Sequence, residues 1–387
     1  MKNRIREVII SLTNHCNLKC AMCQIPLNNV RELSTVELRE LITDIADSCP
    51  DSIVFSGGEP LLRKDIFELI SFANQLKINT CLASNGTLIN DEVAGLLASS
   101  GLGVINISIE GPEQIHDSLR GEGNFKKAIA ALEHLVHHKI ETTIATVVCG
   151  KNYKFLTYVI ELAHQLGVTT VKFQPFSEIF LIDKDGKNQF FASGADLRDI
   201  ETEIKRVIEI SRSYNIAVNP DTYLRSVAPY LCGCWQRKPH SACPGLFSSC
   251  SISAEGDVHI CWVLYDTVLG NVRNKRLSEI WDSEGHNRLR ETAIKEKCKG
   301  CLMSCYDYNF EKPKLKELFI LKKNKLKKPR FYKRQYFRIY QYAHYIFKKI
   351  INRSINLRTP SENDTDTERM LCEIQMAKEI LKKHLRD

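Results

Sequence analysis

The sequence predicts an α/β protein built on a partial (βα)6 TIM-like barrel, with a small cysteine-rich C-terminal domain and a basic helical tail. Three observations carry this. Short β-branched runs alternate with amphipathic stretches through the first 175 residues, the pattern of repeated βα units on a parallel sheet. Eight of the 15 cysteines fall within residues 232–305, where long periodic patterns stop. Residues 313–358 then hold 15 Lys/Arg against one acid, Glu317. That local balance of +14, set against +8 overall, leaves the rest of the chain about 6 units acidic. The expected domains are 1–220, 221–312 and 313–387.

With 387 residues, 26% charged and 43% hydrophobic, the chain can bury a sizeable core and is neither disordered nor fibrous in composition. The apolar run near its start spans only Val8 to Leu12, and no 18-residue apolar window occurs. Neither a signal peptide nor a membrane span is expected, so the chain is expected in the cytoplasm. Thiols stay reduced there, and the cysteines point to metal or iron-sulfur chemistry rather than a disulfide framework.

The first strand is expected at Glu7–Leu12. The next five are expected at Ser52–Ser56, Asn79–Ala83, Val104–Glu110, Glu141–Val148 and Thr170–Gln174. Between them, apolar residues at helical spacing predict helices over Ser34–Ser48, capped by Ser34 or Thr35, and over Lys64–Gln75, Asp91–Ser100, Asn124–His137 and Asn152–Leu166. Gly101 and Gly167 stand where helices end before the next strand. A further helix is expected over Asp196–Tyr214. Six strands are too few to close a TIM barrel, so an open barrel with its working face at the strand C-terminal ends is the natural form.

Directly after the first strand comes Thr13-Asn14-His15-Cys16-Asn17-Leu18-Lys19-Cys20-Ala21-Met22-Cys23, a C-x3-C-x2-C triplet. Structural zinc wants four closed ligands, usually as two separated pairs. Three thiolates suit a four-iron, four-sulfur cluster with one iron left open to a ligand. Zinc with His15 as fourth ligand, or plain reduced thiols, is the alternative. The loop after the second strand reads Ser56-Gly57-Gly58-Glu59-Pro60, with glycines that let backbone approach a ligand. The third strand ends at Ser84-Asn85-Gly86-Thr87, and the fourth at Ser108-Ile109-Glu110-Gly111-Pro112.

In this order the motifs resemble those of radical S-adenosylmethionine (SAM) enzymes over roughly residues 5–220. The resemblance implies a catalytic 4Fe-4S cluster on Cys16, Cys20 and Cys23. SAM would be held by the Gly57-Gly58-Glu59 loop at its amino group and by Ser84 and Asn85 near the nucleoside. Ser108 and Arg120 would meet the ribose or methionine carboxylate, to which an Arg fork is suited. Met22 occupies a position where the family commonly places an aromatic residue against adenine; a backbone contact would survive the change.

The second cysteine region places Cys243 and Cys250 before Gly256-Asp257 and Cys261, then Cys298, Cys301 and Cys305 as C-x2-C-x3-C. It resembles a shortened SPASM or twitch extension, which implies a C-terminal iron-sulfur domain with one auxiliary 4Fe-4S cluster. The favoured ligands are Cys243, Cys250, Cys261 and one late cysteine, Cys305 first. A zinc knuckle on Cys298 and Cys301, or two clusters drafting Cys232 and Cys234, are the alternatives. Gly256-Asp257 is expected to form a two-residue hairpin turn. Trp262 follows Cys261 where some SPASM enzymes carry an acidic base, leaving Asp257, His259 or Asp266 as substitutes. Cys49, Cys81, Cys149 and Cys372 read as small core hydrophobes.

These implications make the chain an enzyme that cleaves SAM reductively and removes hydrogen from a substrate carbon. The substrate class is a peptide or protein, or a sugar-like molecule. An electron donor such as flavodoxin or ferredoxin is expected as partner. Because the barrel starts within ten residues of Met1, no N-terminal peptide-recognition domain is expected. The competing class is a non-catalytic zinc or iron-sulfur module binding nucleic acid or another polyanion. The basic tail interleaves its charges with nine aromatics, which suits a helix docked on the barrel or adhesion to an anionic membrane surface or polymer.

Overall fold

A computed structural model describes residues 5–27, 29–181, 185–235, 243, 245–264, 267–292 and 301–303. All belong to one compact unit, residues 1–310. The basic tail, Asp266, Cys298, Cys305 and Cys372 lie outside the described residues. Among the described residues no helix is long and apolar enough to cross a membrane.

The six barrel strands form as expected: β1 Glu7–Thr13, β2 Ser52–Gly57, β3 Thr80–Ser84, β4 Val104–Ser108, β5 Glu141–Val148 and β6 Thr170–Pro175. Each pairs in parallel with the next. The intervening helices are α1 Thr35–Asp47, α2 Ile66–Gln75, α3 Asp91–Ser99, α4 Glu113–Arg120, α5 Asn124–His137 and α6 Leu156–Gln165. Ser34 caps α1 in a full capping box with Glu37. Gly101 and Gly167 take φ of +80° and +73°, as helix-terminating glycines do. Two differences are local. Asn152–Phe155 starts as a 3-10 turn because the Asn152 side chain accepts from the Cys149 N–H and donates to the Glu110 and Val147 carbonyls. α4 was not expected: its eight residues are too few to show a period.

Helices cover one face of this sheet, and there Val8, Ile10, Ile53, Phe55, Leu82, Ile105, Ile107, Ile144, Val171 and Phe173 are fully buried. The alternate residues on the other face are mostly polar and half-open, including Ser56, Cys81, Asn106, Ser108 and Gln174, with Lys172 exposed. A strand pattern with one dry face and one wet polar face is what an open barrel with a usable interior requires.

After α7 Leu197–Ser213 and α8 Asp221–Leu231, the chain returns to the opposite edge of the sheet. Following α9 Gly245–Ser248, strand β7 Ser249–Ile252 pairs in parallel with β1, and β8 Asp257–His259 and β9 Val268–Asn271 continue antiparallel. The order is β6-β5-β4-β3-β2-β1-β7-β8-β9. The cysteine-rich segment thus extends the barrel sheet itself. The β7–β8 turn is a four-residue Ser253–Gly256 loop instead of the expected two-residue turn, closed by Ser253 N–H to the Asp257 carbonyl, with Gly256 at φ +92°. α10 Leu277–Trp281 and α11 Glu284–Thr292 follow, and Asp44 of α1 accepts from the Leu277 N–H and the Ser278 hydroxyl.

Candidate active site

The loop leaving β1 carries the three clustered cysteines, and neighbouring strand-end loops hold it from several sides. A Cβ on Gly57 would lie 2.2 Å from the Thr13 carbonyl oxygen, and one on Gly58 2.1 Å from that of His15. The glycines therefore serve backbone-to-backbone packing: Gly58 N–H donates to Thr13 O (2.7 Å) and Glu59 N–H to His15 O (2.8 Å). The close approach expected from the sequence is thus made to the cysteine loop.

Glu59 is fully buried, and its carboxylate accepts from the Ser84 hydroxyl (3.0 Å), the Asn85 N–H (2.8 Å) and the Leu61 N–H (3.1 Å). Burial pushes its carboxyl above the usual range, and those donors work against the rise. Its side chain and that of Ser84 are spent joining the loops after β2 and β3. Asn85 donates to Asn17 Oδ1 (2.9 Å) with its Nδ2 3.9 Å from Cys16 Sγ, and Asn17 donates to Thr87 (2.8 Å). On the far side the Ala21 N–H donates to Leu119 O (2.8 Å) at the end of α4.

Cys16, Cys20 and Cys23 share one loop, and the ionisation of each is opposed by the charge of another of the three. Burial lifts all three thiols above their ordinary range. The Leu18 N–H, 3.4 Å from Cys16 Sγ, and the Arg120 charge beside Cys20 and Cys23 favour the thiolates. This donor set suits a thiolate-bound cluster. His15 turns away: its side chain is 69% exposed and its Nε2 lies 3.9 Å from Glu32. A zinc site closed by His15 is therefore not what the loop forms.

Arg120, expected near the ribose or methionine carboxylate, is anchored within the protein. Its Nε and Nη2 fork onto Glu110 Oε1 (2.7 and 2.6 Å), leaving Nη1 4.0 Å from Cys20 Sγ. Glu110 is fully buried, and its second oxygen accepts from the Val147 N–H (2.8 Å). Burial raises the Glu110 carboxyl, and the Arg120 guanidinium works against that. Met22 is buried in the main core, so only its backbone is offered to a ligand. Ser108 sits half-buried at the end of β4 on the open face. The residues missed in the sequence, Asn17, Glu32 and Glu110, act by hydrogen bonds to partners ten or more residues away. No local spacing signals them.

In the second region Cys243, Cys261 and Cys301 pack around Leu246, Ile260 and Met303. The Cys261 sulfur accepts from the Leu264 N–H at 3.3 Å. Cys250 does not join them. Its place on β7 opposite Val8 turns it to the helix-covered side, where burial pushes its thiol up to about 12. The expected grouping of Cys243 with Cys250 is therefore replaced by Cys243, Cys261 and Cys301. Cys232 donates to the Ser193 carbonyl (3.2 Å) and Cys234 is exposed. Asp257 is bound to Asn271 (2.8 Å) and His259 is buried, so neither stands open as a base.

The family model described as the radical SAM superfamily matches residues 10–163, and the SPASM model, an iron-sulfur cluster-binding domain, matches 243–302. An AdoMet-dependent heme synthase of Methanosarcina barkeri is 28% identical over 81% of this chain and 97% of its own. A PqqA peptide cyclase of Rhodopseudomonas palustris is 28% identical over 78% and 80%. Among solved structures, Streptococcus suis SuiB bound to S-adenosylmethionine superposes with a TM-score of 0.62 at 18% identity, covering 78% of this chain and 72% of SuiB. At that identity the likeness bears on the fold.

Proposed function

For this chain, which belongs to the radical SAM superfamily and carries a SPASM-type iron-sulfur domain, we propose hydrogen abstraction from a carbon of a carboxylate-bearing substrate lodged on the open face of the barrel. The enzyme uses a 4Fe-4S cluster, SAM and an auxiliary iron-sulfur cluster. Together the catalytic cluster and SAM supply reductive cleavage of the sulfonium to methionine and a 5′-deoxyadenosyl radical, the hydrogen abstractor.

The residues of the chain bind, orient and shield. Cys16, Cys20 and Cys23 would hold the catalytic cluster, and Cys243, Cys261 and Cys301, with a late cysteine, the auxiliary one. The backbone of Gly57-Gly58-Glu59 and the Ser108 hydroxyl would meet SAM. Arg120, anchored by Glu110, places positive charge beside Cys20. The observation carrying the reading is the loop of three cysteines after β1, held by the Gly58 and Glu59 backbone and by Asn85, with Arg120 Nη1 4.0 Å from Cys20 Sγ.

Lys172 carries the substrate class. It is the exposed residue of β6 on the polar open face, with no carboxylate in ion-pair distance among the described residues, and an ammonium there suits a substrate carboxylate. A tetrapyrrole precursor with carboxylate side chains is the first reading, supported by the heme synthase relative that matches over nearly its whole length. An acidic peptide is the second, supported by the PqqA peptide cyclase relative. Deuterium-labelled tetrapyrrole and peptide candidates, incubated anaerobically with SAM and reductant, test this. Label in 5′-deoxyadenosine identifies the substrate, and K172A should abolish its transfer while reductive SAM cleavage persists. Equal transfer in K172A would contradict the carboxylate reading.

A further inference from the structure

The segment after β9 reaches back to the catalytic loop through one side chain. Arg273 Nε donates to Glu37 Oε1 at 2.6 Å, Nη1 to the Glu255 carbonyl, and Nη2 to the carbonyls of Arg31 (3.1 Å) and Glu32 (3.0 Å). A single guanidinium thus joins the β7–β8 turn, the start of α1 and the loop leading into it. The backbone supports the same seam: Leu33 N–H donates to Ala254 O (2.8 Å), and Asn271, whose Oδ1 accepts from the Arg273 N–H, donates to Glu255 O.

Glu32, whose carbonyl Arg273 holds, turns its carboxylate the other way. Its Oε1 accepts from the Thr13 hydroxyl (2.6 Å) and the Asn14 N–H (2.8 Å), and the Thr13 oxygen in turn accepts from the His15 N–H (3.0 Å). Arg63 stands behind, donating to the carbonyls of Leu12 and Leu33, with its Nη1 3.8 Å from the second Glu32 oxygen. The relay ends at His15, one residue before Cys16.

We infer that Arg273 is a positioning residue for the catalytic-cluster loop, acting through Glu32 on Thr13–His15, so that the SPASM-matching segment shapes the SAM site as well as carrying its own iron. This rests on the radical SAM reading of the Cys16, Cys20 and Cys23 loop. The fork geometry matters, because a lysine offers one compact ammonium where four acceptors lie in different directions. Outer-shell partners of this sort commonly change affinity about 10- to 100-fold when removed.

The test uses full-length, anaerobically reconstituted protein and the variants R273M, R273K and E32A. Readouts are iron per chain, SAM affinity by calorimetry, and the change that SAM produces in the paramagnetic resonance spectrum of the reduced catalytic cluster. We expect R273M and E32A to weaken SAM binding about tenfold or more and to alter that spectrum, with the auxiliary iron retained. R273K should fall between wild type and R273M. Should R273M fail to fold, E32A, which leaves every Arg273 contact to carbonyl and Glu37 in place, decides the matter. SAM affinity and spectrum unchanged in both variants would overturn the inference. Loss of both clusters in parallel would overturn it too, in favour of a general scaffolding role. Wild-type protein that holds no SAM-responsive cluster would instead overturn the functional reading.

Discussion

Gly58 shows how a residue can be legible in the sequence for the wrong physical reason. The paired glycines after β2 mark the loop expected to meet SAM, but the space their missing Cβ atoms leave is taken by the Thr13 and His15 carbonyls. G58A should therefore cost about 3 kcal/mol, the scale of overpacking a tight contact, in denaturation of the metal-free protein, and weaken SAM binding as well. Wild-type stability in G58A would contradict the close packing. His116 makes a second prediction at this scale. It is fully buried, its Nδ1 accepts the Glu110 N–H at 3.3 Å, and burial pushes its pKa down to about 4. The unfolded imidazole titrates near 6.5, so as pH falls the unfolded chain takes up the proton first. The stabilisation is complete above pH ~6.5 and is lost between there and about 4, a span worth roughly 3 kcal/mol. H116Q keeps an acceptor for Glu110 without titrating, so its denaturation midpoint should vary less between pH 7 and 5 than that of wild type. An unchanged pH slope would rule His116 out. Arg120 was singled out only by the family resemblance. Its pairing with Glu110 was not legible, since an ion pair ten residues apart depends on where α4 ends.

At the scale of elements, the strands and long helices were legible because their apolar periods are dictated by one dry face. Asn124–His137 and Glu141–Val148 form with the expected limits. The four-residue β7 was not legible: Ser249-Cys250-Ser251-Ile252 is too short to show which neighbour it will pair with, and its partner β1 lies some 240 residues earlier in the chain. That pairing decides the fate of Cys250, which spacing alone had grouped with Cys243. Reconstituted protein should hold about eight irons per chain in two four-iron clusters. C261A should lose about four of them, whereas C250A should keep all and lose only about 1 kcal/mol of packing. Iron analysis showing the same loss in both would return Cys250 to the ligand set. α1 illustrates an element with two duties. Glu37 completes its capping box and also receives Arg273, which holds its carboxyl down at about 2. The capping box was readable from Ser34-x-x-Glu37, the second contact only from the fold.

Across the whole molecule, β1 is the centre of the design. Its C-terminal end delivers the cysteine loop, one edge pairs with the barrel through β2, and the other pairs with the SPASM-matching segment through β7. The two cysteine-bearing segments are therefore attached to one sheet, joined again at Arg273 and at Asp44. The sequence displayed the first cysteine set plainly because its three thiols fall within eight residues, and the second only in part because Cys243, Cys261 and Cys301 are spread along the chain. It concealed their union because strand pairing and loop-to-loop hydrogen bonds leave no local trace. In the proposed function the β1 loop holds a SAM-cleaving cluster on Cys16, Cys20 and Cys23. This assignment is tested most directly by measuring 5′-deoxyadenosine formed from SAM under anaerobic reduction, with wild-type protein and single alanine variants at these three positions. Wild type should form it and each variant should form none. A wild-type protein that binds zinc and forms none, or any variant that still forms it, would contradict that assignment.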